Sequence, residues 1–472
     1  MRARIIFGLL AVMLVALLYL VGTRTRDPHT VPPARVEAPP DAGELEAQAP
    51  SASSSAPASL DGATGAPAGD AGAAKMDRAL RVVAASWDVV APLVVAASPD
   101  VQVDVVPGER DIEGRLVRGG ADAEGADVAV IPLPSLVAAY DRLRALEPQA
   151  VLVAGWSRGR EVLMGGHDAT LGKPPRVAQD VSVESTDDAA SALALFALDE
   201  SGTSAARVHV VSDPKGAAFS ALARPLPTER AADAPSKVLL TTADASRFVP
   251  YVAVAPRGFA DAHVDVLATF ARTWLDGAAA MRKDVTAAAR RIAAQPGAPD
   301  PAALLERLGW IGDADGADEV RALGLAGHDA VTIATLFNRA WKLLRDSGAL
   351  VSPAPLSAPI ATAPLAKLLA TDPKLGEGAP APAVAPAAPD ARALLTHRFD
   401  KADVDAVVAE VAWLAGVFER STLRISARPP SLAKDAAAAA HDRQGVASER
   451  LVAGPAAPAD GAAAWVEVLA AP

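Results

Sequence analysis

Strands and helices alternate in the pattern of apolar and polar positions through the first third of the chain. Apolar or alternating runs predict strands at 79–86, 101–106, 127–131 and 151–154, and helical spacing predicts helices at 89–97 and 135–146. Parallel strands need crossover connections, and helices are the usual crossovers. The alternation therefore predicts an α/β fold with a mostly parallel sheet covered by helices.

The same alternation recurs further along the chain. It predicts strands at 176–183, 207–211 and 251–255, and helices at 187–198, 215–223, 262–280 and 285–294. Two α/β lobes with a ligand crevice between them would fit this order, because ligands of open α/β sheets bind at the carboxyl ends of the strands. We place the second lobe at about residues 165–245.

The N-terminus carries one long apolar segment. Arg2 and Arg4 precede the run Ile5–Val21, which as a helix is roughly 25 Å long, close to the ~30 Å hydrocarbon core of a bilayer. We interpret residues 1–26 as an uncleaved signal anchor. The alternative is a cleaved secretory signal peptide that ends at Gly22. Export of the folded region follows in either case.

Two segments have the composition of linkers. Residues 27–74 are rich in Ala, Pro, Ser and Gly, with almost no large apolar side chain, so a disordered linker is expected there. A shorter Pro/Ala linker is expected at 376–390. They delimit a main folded region at 75–375 and a C-terminal region at 391–472.

Composition excludes several function classes. The 472-residue chain carries 45 Lys and Arg against 56 Asp and Glu, a net charge of −11, which argues against nucleic acid as a partner. It has no cysteine, so thiolate metal sites and a lipid-anchored cysteine are absent. Its seven histidines show no metal-binding spacing, and no phosphate-binding glycine loop is present. We therefore expect no metal and no cofactor.

Four segments resemble type 2 periplasmic solute-binding proteins of the nitrate/sulfonate/taurine class. They are "ALRVVAASWDVVAPL" (Ala79–Leu93), "GADVAVIPLPSLVAAY" (Gly125–Tyr140), "VLVAGWSRGREVLM" (Val151–Met164) and a long stretch from Thr241 to Asp284. Residues 219–238 depart from the family pattern. The resemblance implies a two-lobed fold, a small anionic solute and an ABC transporter permease as partner.

The C-terminal region resembles an OmpA-like peptidoglycan-binding domain. The segments that carry the likeness are Phe399–Pro430, Gln444–Pro458 and Trp465–Ala470. The family's G-H-T-D is replaced by Ala427–Pro430, and its N-x-x-R-R by residues near Ala463–Trp465. Its arginine-bearing helix is an alanine run, Ala436–Ala440, where we expect a shortened helix. We interpret the region as a small α+β remnant in which peptidoglycan binding is weak or absent.

Candidate ligand-binding residues follow the predicted strands of the first lobe. Ser86, Trp87 and Asp88 come after the first strand, and Pro132 comes after the strand 127–131. Two of these residues have a plainer interpretation as well: Trp87 as a core side chain and Asp88 as the N-cap of the next helix.

The loop Gly155–Gly159 supports two opposed interpretations. Its G-x-S-x-G pattern matches a hydrolase nucleophile elbow at Ser157, but 161–164 predicts another strand where an elbow needs a helix. In a binding protein, Trp156, Ser157 and Arg158 would instead line the crevice, and Ser157 and Arg158 would donate to an anion. A solvated surface position is the plain alternative for Arg158.

These observations predict an extracytoplasmic solute-binding protein with no reaction of its own. It would close two lobes around a small anionic solute by hinge motion, with the N-terminal helix in the inner membrane and the folded region in the periplasm. The alternatives are a structural envelope protein whose ligand site has decayed and, less favoured, a serine hydrolase that uses Ser157.

The anchor makes a direct prediction. If Ile5–Val21 remains uncleaved, the mature protein will stay with membranes through high-salt washing and will retain Met1. Cell fractionation followed by N-terminal sequencing checks this. A soluble product that begins near Thr23 would exclude the anchor and leave export intact.

Overall fold

A computed structural model describes residues 76–171, 179–183, 188–213, 217–226, 235–325, 330–377, 384, 387–388, 391–455 and 461–471. All of them belong to one compact unit, Gly69–Pro472. The predicted signal anchor and the linker 27–74 lie outside the described residues. Among the helices that are described, none is long and apolar enough to cross a bilayer.

Fifteen strands are described. They are β1 (Leu80–Ala84), β2 (Val101–Val105), β3 (Val128–Pro132), β4 (Gln149–Ser157), β5 (Glu161–Gly165), β6 (Gln179–Val183), β7 (Val208–Val211), β8 (Phe219–Ala223), β9 (Lys237–Thr241), β10 (Pro250–Ala255), β11 (Ile311–Gly312), β12 (Ala393–Phe399), β13 (Thr422–Ala427), β14 (Leu451–Ala453) and β15 (Ala464–Leu469).

Thirteen α-helices are described. They are α1 (Ala91–Ala96), α2 (Glu109–Arg118), α3 (Leu133–Leu143), α4 (Asp188–Glu200), α5 (Arg257–Ala262), α6 (Val264–Lys283), α7 (Val285–Ala293), α8 (Pro301–Leu308), α9 (Gly316–Ala322), α10 (Ile333–Asp346), α11 (Ala363–Thr371), α12 (Val404–Val417) and α13 (Pro430–Gln444).

The first lobe is a six-stranded mixed sheet in the order β11-β4-β10-β3-β1-β2. Strands β1, β2 and β3 run parallel, and β10 returns antiparallel between β3 and β4. Every residue of β4 is buried, as expected of a strand covered by helices on both faces. The predicted strands and helices of this lobe are confirmed. Helix α2 was not predicted. Ile112 and Leu116 are the buried residues of its inner face.

The second lobe is a five-stranded sheet in the order β7-β6-β8-β5-β9. The predicted helix at 215–223 is wrong, because residues 219–223 form strand β8 between β6 and β5. Ser220 packs on β6 through a 2.7 Å contact with the Ser182 hydroxyl. Leu222 joins a separate apolar cluster with Val162. Both faces of β8 are buried, so small apolar residues suit either face. This explains why the alanines of 219–223 resemble the composition of a helix.

The C-terminal region is a four-stranded α+β unit in the order β12-β15-β13-β14. The expected shortening of its second helix is wrong, since α13 spans 15 residues. Ala433, Ala436 and Ala440 are buried on one face of α13. Their small side chains allow the helix to pack closely on α12 and β13.

One apolar core runs through both lobes and the C-terminal unit. It joins Leu80 of the first lobe, Phe196 of the second and Phe418 of the C-terminal unit in a single contiguous cluster. The C-terminal unit is therefore packed on the lobes and shares their core, even though a Pro/Ala segment precedes it in sequence. The positions of the domain boundaries along the chain stay a prediction.

The chain crosses between the lobes twice. Residues 158–160 link β4 to β5, and residues 242–249 link β9 to β10. The two crossings are bonded to one another: the Ser157 amide donates to the Val249 carbonyl at 2.9 Å, and the Gly159 amide donates to the Thr242 hydroxyl at 2.9 Å. This architecture confirms the expected two-lobed α/β fold.

A fully buried carboxyl lies beneath β4. Glu319 of α9 accepts a hydrogen bond from the Val153 amide at 2.9 Å, at a place where the β4–β10 register is irregular. Burial raises the pKa of Glu319 well above its usual value. The folded protein therefore holds this proton more tightly than the unfolded chain does.

We expect Glu319→Gln to stabilise the protein at pH 8. The folded chain holds this proton to a higher pH than the unfolded chain does, so stability falls as pH rises between the two pKa values, by up to about 1.4 kcal/mol per pH unit. Thermal melts at pH 5 and pH 8 measure the difference, which should shrink at pH 5. Glu306→Gln on an exposed face of α8 is the control. Equal pH profiles for Glu319→Gln and wild type would contradict the argument.

Candidate functional site

A small cavity of about 60 Å³ lies at the carboxyl ends of β1 and β3. Ser86 and Pro132 line it from the first lobe, and Arg160 and Glu161 line it where the chain enters the second lobe. The remaining lining residues are Ala85, Val89, Glu109, Val130, Ala189 and Tyr251. The cavity thus occupies the edge where an α/β crevice is expected.

An ion pair joins the first lobe to the first crossing beside this cavity. Arg160 Nη1 donates to Asp88 Oδ2 at 2.8 Å and lies 3.4 Å from the Ser86 hydroxyl. The Asp88 side chain is only 1% exposed, and its Oδ1 has no hydrogen-bond partner among the described residues. The N-cap interpretation of Asp88 is wrong, because α1 is capped by Val90 without a side-chain bond. Asp88 is instead a buried charge held by Arg160.

Ser157 is fully buried and belongs to a small polar cluster at the first crossing. Its hydroxyl donates to Glu161 and lies 2.8 Å from the Thr242 hydroxyl, which in turn donates to Glu161 at 3.0 Å. Strand β5 follows the loop directly, as predicted. A nucleophile elbow needs an exposed serine, an imidazole neighbour and a following helix, and the described surroundings of Ser157 provide none of these.

Neither predicted tryptophan lines the cavity. Trp156 is 1% exposed and lies beneath Arg247, whose guanidinium carbon is 4.7 Å from the ring centroid. Trp87 is half-buried and packs against an apolar cluster that contains Met281 and Leu304. The plain interpretation of Trp87 as a core side chain therefore describes its position.

Arg158 also lies away from the cavity. Its amide donates to the Trp310 carbonyl at 2.7 Å, and its exposed side chain covers Gly312 of β11. Burial raises the pKa of nearby Asp313 to about 6, against the opposing charges of Arg282 and Arg158. The cation of the crevice is thus Arg160, two residues further on. Asp88 was the signal in the sequence that could have pointed to Arg160, because a buried carboxylate requires a cation close by.

Carboxylates outnumber cations in the cavity lining. Glu109 at the start of α2 accepts from the Ser135 hydroxyl at 2.7 Å, and Glu161 accepts from two hydroxyls. Arg160 is the one cationic residue among the ten lining residues. The charged side chains of the described lining are therefore mainly acidic, and Arg160 supplies the positive one.

A larger depression of about 390 Å³ lies at the opposite, amino-terminal edge of the first sheet. Its polar wall is a bidentate pair between Arg78 and Asp127, at 2.7 and 2.8 Å. Asp127 also accepts from the Arg81 amide at 3.0 Å. These groups satisfy one another and support the start of β1, so we assign this edge a structural role.

No family model matches the chain, and no curated protein matches it. Solved structures of binding proteins do match. A ligand-binding component of an ABC-type import system from Staphylococcus aureus with zinc bound is 13% identical; the match covers 62% of this chain and 99% of that one, at a TM-score of 0.43. The periplasmic aliphatic sulphonate-binding protein from Escherichia coli is 13% identical, over 59% and 95%, at 0.42. A putative periplasmic sulfonate-binding protein from Methylobacillus flagellatus is 12% identical, over 63% and 95%, at 0.41.

The Asp88–Arg160 pair makes a stability prediction. Arg160→Gln leaves a buried carboxylate without its cation, and we expect a loss of about 3 kcal/mol, the lower end for a broken buried pair, since Arg160 is partly exposed. Arg158→Gln, on an exposed arginine, should change stability by less than about 0.5 kcal/mol. Urea unfolding gives the free energy of unfolding of both variants and of the double variant Arg160→Gln with Asp88→Asn. The comparison measures the contribution of the ion pair to stability. Equal losses for the two arginines would show that Asp88 does not depend on Arg160.

Proposed function

We propose that this protein is an extracytoplasmic solute-binding protein of the ABC-transporter type that holds a small solute between its two lobes. The observation that carries the proposal is the Asp88–Arg160 ion pair, which joins the first lobe to the first crossing at a cavity lined by residues from both lobes. Charged groups placed between two hinged lobes provide a ligand with differential contacts in the closed state.

Three further observations support this proposal. The chain crosses twice between two α/β sheets, and the cavity lies at the carboxyl ends of β1 and β3. Of the structurally similar proteins, one is named as the ligand-binding component of an ABC-type import system and another as a sulphonate-binding protein. No covalent chemistry is required of the residues that line the cavity. We therefore propose no enzymatic activity, and a membrane permease as the partner that receives the solute.

The charges of the lining suggest the chemical class of the solute. An acidic group on the solute would face Arg160, and a hydrogen-bond donor or an amino group would face Glu109 and Glu161. We propose a small solute that carries both kinds of group. A simple anion would bring its negative charge close to the two carboxylates.

The site residues follow from this proposal. We retain Ser86, Asp88 and Pro132 from the sequence prediction and replace Trp156, Ser157 and Arg158 by Arg160 as the ligand-contacting residue of the crossing. The N-terminal helix would tether the protein to the inner membrane, with the folded region in the periplasm. The C-terminal unit would be an OmpA-like remnant, and its strand–helix–strand–helix–strand–strand order supports that origin.

One observation favours a second candidate, a structural envelope protein without a ligand. The cavity of about 60 Å³ is well below the ~300–1,000 Å³ of ordinary ligand pockets, and Asp88 already pairs with the one lining cation. In this candidate the protein's own carboxylate replaces the solute, and the lobes do not open.

A ligand panel separates the two candidates. We expect thermal stabilisation by one member of a panel of nitrate, phosphate, small carboxylates, sulfonates, amino acids and amino sulfonates. Arg160→Lys should weaken that affinity about 10- to 100-fold, because a guanidinium contact to a charged group contributes about 1.5–3 kcal/mol. Arg158→Lys is the matched control and should bind like wild type. No stabilisation by any member would favour the structural candidate.

A further inference from the structure

The C-terminal unit forms hydrogen bonds with the second crossing between the lobes. Arg247, within that crossing, donates to Glu419 at 3.2 and 3.3 Å and to Asp318 of α9 at 2.5 Å. The Arg247 amide also donates to the Val417 carbonyl at the end of α12, at 3.1 Å. The same guanidinium covers Trp156 at the end of β4, just before the first crossing. One mostly buried arginine therefore links the second crossing and β4 to the C-terminal unit.

Aromatic side chains extend this contact into the second lobe. Phe248 of the crossing stacks on Phe196 of α4, with ring centroids 4.2 Å apart. Phe418 of the C-terminal unit stacks on the same Phe196 at 6.1 Å, and Trp413 meets its edge at 6.4 Å. Phe196, Phe248 and Phe418 are all at most 3% exposed. Movement of the crossing relative to α4 would break this stack.

A buried polar cluster fixes the far end of α4 to the same unit. The Glu200 carboxylate accepts from Arg339 of α10, lies 2.9 Å from His397 Nδ1 and accepts from the Trp413 indole at 3.3 Å. Burial works to raise the pKa of Glu200, but His397 and Arg339 outweigh it and the pKa is lowered. Glu200 thus remains charged inside the interface.

Helix α10 connects this cluster to the first lobe. It packs on α3 of the first lobe and on α4 of the second. Tyr140 of α3 meets the rings of Phe337 and Trp341 of α10, with centroids 5.8 and 5.6 Å away. The C-terminal unit therefore contacts the second crossing and α4, and α10 links these contacts to the first lobe.

We propose that the C-terminal unit is a built-in clamp that holds the two lobes in their closed arrangement and must loosen before a solute can enter. The consequence for solute entry rests on the proposed function. The clamp itself is a property of the fold and does not depend on that function. It accounts for the small cavity: with Arg247 and Phe248 held from outside, the crossings cannot bend to separate the lobes.

The absence of cysteine makes the test direct, because two introduced cysteines are the only labelling sites. Arg118→Cys in the first lobe and Val210→Cys in the second place spin labels on exposed positions of different lobes. Distance distributions between the labels are measured in the otherwise wild-type protein, in Glu419→Gln, and in Glu419→Gln with Phe418→Ala. Asp442→Asn, an exposed charge removal in the same unit, is the matched control.

We expect one narrow distance in wild type and in Asp442→Asn. A second, longer distance should appear in Glu419→Gln and dominate in the double variant, and amide hydrogen exchange at Ser157 and Gly159 should accelerate at least ten-fold. A single unchanged distance in folded variants would overturn the clamp. Circular dichroism verifies folding, and the milder Glu419→Gln provides the test should the double variant unfold.

The same variants separate the clamp from the proposed function. A longer distance without binding of any panel solute supports the clamp and contradicts the solute-binding proposal. An unchanged distance with normal binding contradicts the clamp alone. A longer distance with solute association at least ten-fold faster than in wild type supports both.

Discussion

The two crossings between the lobes are the constraint on which the rest of the structure depends. Both run through a buried region, and a buried backbone must find its hydrogen bonds within the protein. Here the crossings bond to each other, and Thr242 supplies the acceptor for the Gly159 amide. Ser157, Glu161 and Thr242 are therefore held in one arrangement. Arg160, between them, is aimed at Asp88.

This constraint gives the G-x-S-x-G pattern a structural explanation that needs no nucleophile elbow. The loop pattern records a tight, buried connection between β4 and β5, which needs small residues for reasons of space. A Cβ atom on Gly155 would lie 2.9 Å from the Gly312 carbonyl, and Gly159 adopts a positive φ of 100°. The serine between them is buried, and its hydroxyl bonds to Glu161 and contacts the Thr242 hydroxyl.

Much of the fold was predictable from periodicity, and the exceptions have physical causes. Strands β1 to β4 are long apolar or alternating runs whose burial leaves a clear signal. The prediction of strand β8 failed because its alanines lack a distinctive period and its identity depends on partners 38 and more residues away. The site was predicted only in part. Ser86 and Pro132 follow from their places at strand ends, whereas the choice between Arg158 and Arg160 depends on how the crossing turns, which single-residue patterns do not encode.

The docking of the C-terminal unit also bears on how the chain folds. The indole of Trp413 bonds to Glu200 across 213 positions of sequence, and Phe418 completes the stack on Phe196. Such distant contacts form late, because the loop-closure entropy of the intervening chain must be overcome first. Until the last part of the chain has folded onto it, the outer face of α4 remains an uncovered apolar surface. A fragment that stops before β12 would keep that surface exposed, and its natural fate is self-association rather than a shorter working protein.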